Sequence, residues 1–80
     1  MFHKIKIIEP KENYFLRAVF EDGTEKIYDL KPLFTEIPQF EDLKVISGLF
    51  ESVIIDVGGY GIIWNSELDL SAEEIWSNGK

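Results

Sequence analysis

An 80-residue chain with a net charge of −7 and no cysteine has room for one domain, 1–80, built around one small, dense core. Without cysteine there is no disulfide, zinc ribbon or thiol chemistry. With His3 as the single histidine no histidine-based metal cluster can assemble, so neither a metal nor another cofactor is expected.

The charge is unevenly spread. Residues 1–31 carry six basic and six acidic side chains, whereas residues 32–80 set nine acids against Lys44 and Lys80 and so hold the whole of the −7. A surface of that sign repels phosphate and attracts cations, which disfavours direct nucleic-acid binding and favours a basic protein partner; solubility alone is the plainer explanation. The first residues lack the apolar core of a signal peptide and no apolar run reaches membrane-spanning length, so a soluble, cytoplasmic chain is expected, with no membrane contact.

In chain order, His3 to Glu9 alternates with period two, putting Ile5 and Ile7 on one face and Lys4 and Lys6 on the other, as in a strand with one wet face. Pro10 to Asn13 breaks it. The next strand is apolar on both sides, with Tyr14, Leu16, Ala18 and Phe20 on one and Phe15, Arg17 and Val19 on the other. Asp22-Gly23 predicts a tight type I′ hairpin into a third strand, Glu25 to Asp29. Asp29 is placed to cap a short helix that takes Pro32 in its first turn and ends before Pro38.

Phe40, Leu43, Ile46 and Phe50 recur at helical spacing and predict a second short helix or helical loop, weakened by Gly48. Ser52 to Asp56 predicts a strand, and the glycines at 58 and 59 turn it back into Gly61 to Trp64. Ser71 with Glu74 forms a capping box for a closing helix through Trp76 that Asn78-Gly79 ends. The expected architecture is α+β: a mostly antiparallel sheet of about five strands in the order β-β-β-α-β-β-α, with short helices on one face.

The order and spacing of several short pieces resemble a bacterial family, domain of unknown function 2442. These are Phe20-x-Asp22-Gly23, Tyr28-Asp29-Leu30-x-Pro32-Leu33, Leu49-Phe50, and Gly61-x-x-Trp64 followed by Leu68-Asp69-Leu70-Ser71. Many members carry Pro after the Trp, where this chain has Asn65. The resemblance implies a small α+β domain, and for some members an arrangement beside a second small domain like that of toxin–antitoxin pairs. The helix-turn-helix of longer members has no counterpart before Lys80, so DNA binding is not carried over.

No cluster of residues amounts to an active site, and no catalytic residue is expected. Glu67, Asp69 and Glu73 together raise the alternative of a cation-dependent enzyme, but caps and turns account for these residue types as well: Asp69 can bond turn amides and Glu73 suits a helix start. His3 lacks partners for a triad. Trp64 reads as core, and Trp76, on a short last helix, as either core or interface. Because short helices can cover only one face of the sheet, Phe15, Arg17 and Val19, with Trp76, are the candidate interface residues. The expected function is therefore an acidic binding module, pairing with a basic protein or with itself. A third reading is a transcription-related accessory protein without a DNA-binding domain of its own.

Overall fold

The computed structural model describes residues 2–80. It is α+β, but with six strands in two three-stranded antiparallel sheets in place of one five-stranded sheet. The first sheet is β1 (Ile5–Lys11), β2 (Phe15–Phe20) and β3 (Glu25–Asp29), in that order. After α1 (Lys31–Glu36), a 3-10 turn over Pro38–Glu41, α2 (Asp42–Val45) and a further 3-10 turn over Phe50–Ser52, the second sheet follows. Its strands are β4 (Ile54–Ile55), β5 (Gly61–Asn65) and β6 (Leu68–Ser71), and α3 (Ala72–Asn78) closes the chain.

The sixth strand is the stretch expected to be a turn and helix start. Leu68 and Leu70 are the period-two signal that the polar residues around them obscured; Leu68 is fully buried, Leu70 half-buried, and Asp69 between them exposed. β1 and β3 are the edge strands of the first sheet; Pro10 of β1 has no N–H to donate, and the outer edge of β3 is bonded through the Ile27 amide and carbonyl to Lys80.

β2 sits at the centre of the first sheet and divides its faces as its period predicts: Leu16, Ala18 and Phe20 are buried, and Phe15, Arg17 and Val19 are half-exposed. β1 departs from simple alternation. Its register with β2 slips between Ile5, opposite Phe20, and Ile7, opposite Val19, so the phase changes there. Ile5 is buried and Ile8 packs on the core, whereas Ile7, expected beside Ile5, faces out. His3 precedes the strand instead of belonging to it.

The β2–β3 hairpin is a three-residue loop, not the two-residue type I′ turn. The Gly23 amide donates to the Phe20 carbonyl, the Phe20 amide donates to the Thr24 carbonyl, and positive φ is confined to Gly23 at 92°. That is a type I turn closed by a left-handed residue, a geometry that asks for Gly at one position only. Asp22 Oδ1 accepts from the Thr24 amide. Asp29 Oδ1 likewise accepts from the Lys31 amide at the start of α1, although the residue at the cap position itself is Leu30.

One core joins both sheets and the helical layer: Leu16, Ala18, Phe20 and Tyr28 from the first sheet, Ile62, Trp64 and Leu68 from the second, and Leu30, Leu33, Phe40, Leu43, Phe50 and Ile75 from the segments between and after. Ile46, expected on the apolar face of a second helix, is exposed, because α2 ends at Val45 and Ile46 adopts extended angles that carry it out of helical phase. Trp64 is core, and its Nε1 donates to the Phe50 carbonyl at 3.1 Å, tying β5 to the turn before β4.

Candidate functional site

Part of the solvent face of the first sheet is covered by the chain's own charged side chains. Cross-strand register places Glu9, Arg17 and Ile27 in one row and Lys11, Phe15 and Asp29 in the next. Arg17 donates to Glu9 Oε1 at 3.0 Å through Nη1 and to Glu25 through Nε, so the central cation is shared between two carboxylates. The Arg17 guanidinium also holds the Glu9 carboxyl below the usual carboxylate range. Phe15 lies under the Lys31 ammonium, 3.9 Å from its ring centroid. Lys31 thus covers Phe15, and Arg17 is held by two ion pairs, while Ile7 and Ile27 on the same face remain exposed.

The three carboxylates Glu67, Asp69 and Glu73 occupy different settings. Glu67 is exposed in the β5–β6 turn, and Asp69 stands exposed on β6 opposite Ile63. Turn-amide bonding falls to Asn65, whose Oδ1 accepts from the Glu67 and Leu68 amides at 2.8 and 2.9 Å, and not to Asp69. Among the described residues no three His, Cys, Asp or Glu side chains come together as metal ligands.

Glu73 is bound to His3, a contact across 70 positions of sequence. It accepts from the His3 amide at 2.6 Å, and the His3 Nδ1 lies 3.1 Å from both carboxylate oxygens. The His3 amide, then its ring, holds the Glu73 carboxyl below its ordinary value. The imidazole stacks on Trp76 with centroids 3.6 Å apart, and Trp76 meets Phe20 edge-on at 4.9 Å with Lys26 over its ring. Trp76 is therefore half-buried and anchors the first residues to α3. No sequence pattern announces that cluster, since its members belong to four separated segments.

The capping box at α3 is half made. The Glu74 amide donates to Ser71 Oγ at 3.1 Å, but the Glu74 carboxylate turns away from Ser71. Its Oε2 accepts from the buried Tyr28 hydroxyl at 2.8 Å and from Asn78 Nδ2 at 2.9 Å. Burial, then the Glu74 carboxylate, pushes the Tyr28 phenol well above its ordinary range, so it remains a donor. These groups line a groove of about 640 Å³ between β3, α1 and α3, with Phe15, Ile27, Pro32 and Leu33 as apolar wall and Asp29, Glu36, Glu74 and Lys80 at its charged margin.

The family model described as "Protein of unknown function (DUF2442)" matches residues 5–80. The chain belongs to this family. No curated protein and no solved structure matches it. In this DUF2442 chain the motif residues hold positions that explain their types: Gly23 closes the first hairpin, Asp29 binds the start of α1, Trp64 fills the core, and Ser71 caps α3. Asn65, directly after Trp64, accepts the Glu67 and Leu68 amides, two bonds that a Pro side chain has no oxygen to accept. No helix among the described residues is long and apolar enough to cross a membrane.

Proposed function

We propose that this DUF2442 chain is a protein-binding module whose partner presents a basic surface, in the manner of the smaller acidic member of a two-protein, toxin–antitoxin-like pair. One observation carries the reading. In residues 1–31 cations and acids are equal in number, and three of the six cations are paired in or beside the first sheet, Arg17 with Glu9 and Glu25, Lys11 with Glu9, and Lys31 with Asp29. Of the later acids only Glu41 has a lysine beside it, Lys44 at 3.8 Å. Glu36, Asp42, Glu51, Asp56, Glu67 and Asp69 are all exposed and form no ion pair among the described residues. Unpaired carboxylates in this excess on a small domain generate a field that steers a cationic partner and rejects an anionic one.

The test begins with capture from the source cells, identification of the partner, and reconstitution of the purified pair. Affinity is expected to fall as NaCl is raised from about 50 to about 500 mM, since the Debye length shrinks from roughly 14 to 4 Å over that range. Joint replacement Glu36→Gln, Asp42→Asn should lower affinity about two- to fivefold per charge at low salt. Affinity that is flat with salt, or self-association in sedimentation that is indifferent to these changes, overturns the reading in favour of an apolar interface or a homodimer.

A further inference from the structure

The groove between β3, α1 and α3 combines features that the exposed acids elsewhere lack. Its volume of about 640 Å³ falls in the range of small-ligand pockets, and its wall is apolar along one side. Glu74 is held in place by two donors on Oε2, the Tyr28 hydroxyl and Asn78 Nδ2, while Oε1 accepts no hydrogen bond among the described residues. Glu36, on the last turn of α1, lines the same groove and forms no ion pair among the described residues. Asp29 already has the Lys31 ammonium at 3.0 Å, and Lys80 is the one cationic side chain in the lining.

We propose that this groove seats one arginine or lysine side chain of the basic partner, its methylenes against Ile27, Pro32 and Leu33 and its cationic head toward Glu36 and Glu74. The inference deepens the reading of a basic partner and rests on it. An anionic group would meet carboxylates. An apolar side chain would fill the wall but strip water from Glu36 and Glu74 without returning a partner, which is costly for a charge. A long cationic side chain meets both demands, because its stem is apolar and its head is charged. Arginine adds a planar fork that can engage two carboxylates at once.

The mode of docking is limited by the backbone. At Ile27 the outer edge of β3 is already bonded to Lys80, through the Lys80 amide at 2.9 Å and the Ile27 amide at 3.4 Å. A partner segment therefore does not extend the sheet at that point, and recognition runs through the inserted side chain.

Amide chemical-shift mapping of the full chain tests this with blocked tripeptides Gly-Arg-Gly and Gly-Lys-Gly, with Gly-norleucine-Gly as the uncharged control and spermidine as a free amine. The cationic tripeptides should move the amides of Ile27, Leu33, Glu36 and Asn78 together, with norleucine silent at the same concentration. Glu36→Gln, at an exposed site that forms no ion pair or side-chain hydrogen bond among the described residues, should weaken the effect about two- to fivefold. Equal shifts with norleucine, no change on Glu36→Gln, or shifts from spermidine without any from the peptides would overturn the assignment. If a tetra-arginine peptide instead moves amides only near Glu51, Asp56 or Glu67, the groove is refuted while the basic-partner reading stands. If tetra-arginine moves none at low salt, both fail.

Discussion

Replacing Gly61 by Ala isolates the effect of space from that of backbone angle. Gly61 opens β5 opposite Ser71, with no positive φ, and a Cβ built there would lie 2.7 Å from the Leu70 carbonyl oxygen of β6. An ordinary carbon–oxygen contact begins near ~3.3 Å, so the strands must part by about 0.6 Å. β5 is the central strand of its sheet, and on either side of the site the Gly61 carbonyl accepts from the Asp56 amide at 2.9 Å and the Tyr60 carbonyl from the Ala72 amide at 2.8 Å. Neither can move freely. Overpacking of this kind costs about 1–3 kcal/mol, and with an unfolding entropy of roughly 2.1 cal/mol/K per residue a 2 kcal/mol loss in a chain this size lowers Tm by about 12 °C. Gly23→Ala is the complementary variant, because Gly23 has φ of 92° and nothing within 4 Å of a built Cβ. Its strain of about 1 kcal/mol corresponds to about 6 °C. Thermal unfolding followed by circular dichroism compares the two. A Gly61→Ala protein that melts within about 2 °C of the parent, or above Gly23→Ala, would refute the close approach of β5 and β6.

The remaining expectations concern side chains. Trp64→Phe leaves the Phe50 carbonyl without its buried donor and should cost about 1–3 kcal/mol in chemical denaturation, against nearly nothing if that carbonyl is solvated. Because the folded Tyr28 phenol titrates above its ordinary value of 10.0, the unfolded state loses its proton first as pH rises, and stability should fall above pH 10; Tyr28→Phe should remove that alkaline slope, and an unchanged slope would count against burial beside Glu74. Glu73 has the opposite sign. Its folded carboxyl lies below the ordinary 4.5, so its contribution is present above that pH and disappears as pH falls through the lower folded value, and Glu73→Gln should flatten the acid limb of the stability curve. Phe15→Glu places a carboxylate beside the Lys31 ammonium at a half-exposed site, so a small loss of stability with the parent's sedimentation behaviour unchanged is expected; collapse of the fold would show Phe15 to be core.

What local chemistry determines was legible in the chain itself. The two faces of β2, the turn at Asp22-Gly23, the short α1 bounded by Asp29 and Pro38, and the Ser71 cap all follow from dihedral preference and period, which act over a few residues. The segregation of charge needed only counting. Tertiary structure decided whatever depends on which distant segments meet. A slip in the β1–β2 register moved Ile7 to solvent and brought Ile8 inward, a change of phase that composition does not encode. The division into two sheets depended on which strands met, β4 pairing with β5 and β5 with β6 while β1 and β3 remained edges. Arg17 found carboxylates on both neighbouring strands, and His3 met Glu73 and Trp76 at the opposite end of the chain. Glu74 left its local partner Ser71 for Tyr28, because a buried phenol must place its hydrogen and the nearby carboxylate is the strongest acceptor it can reach.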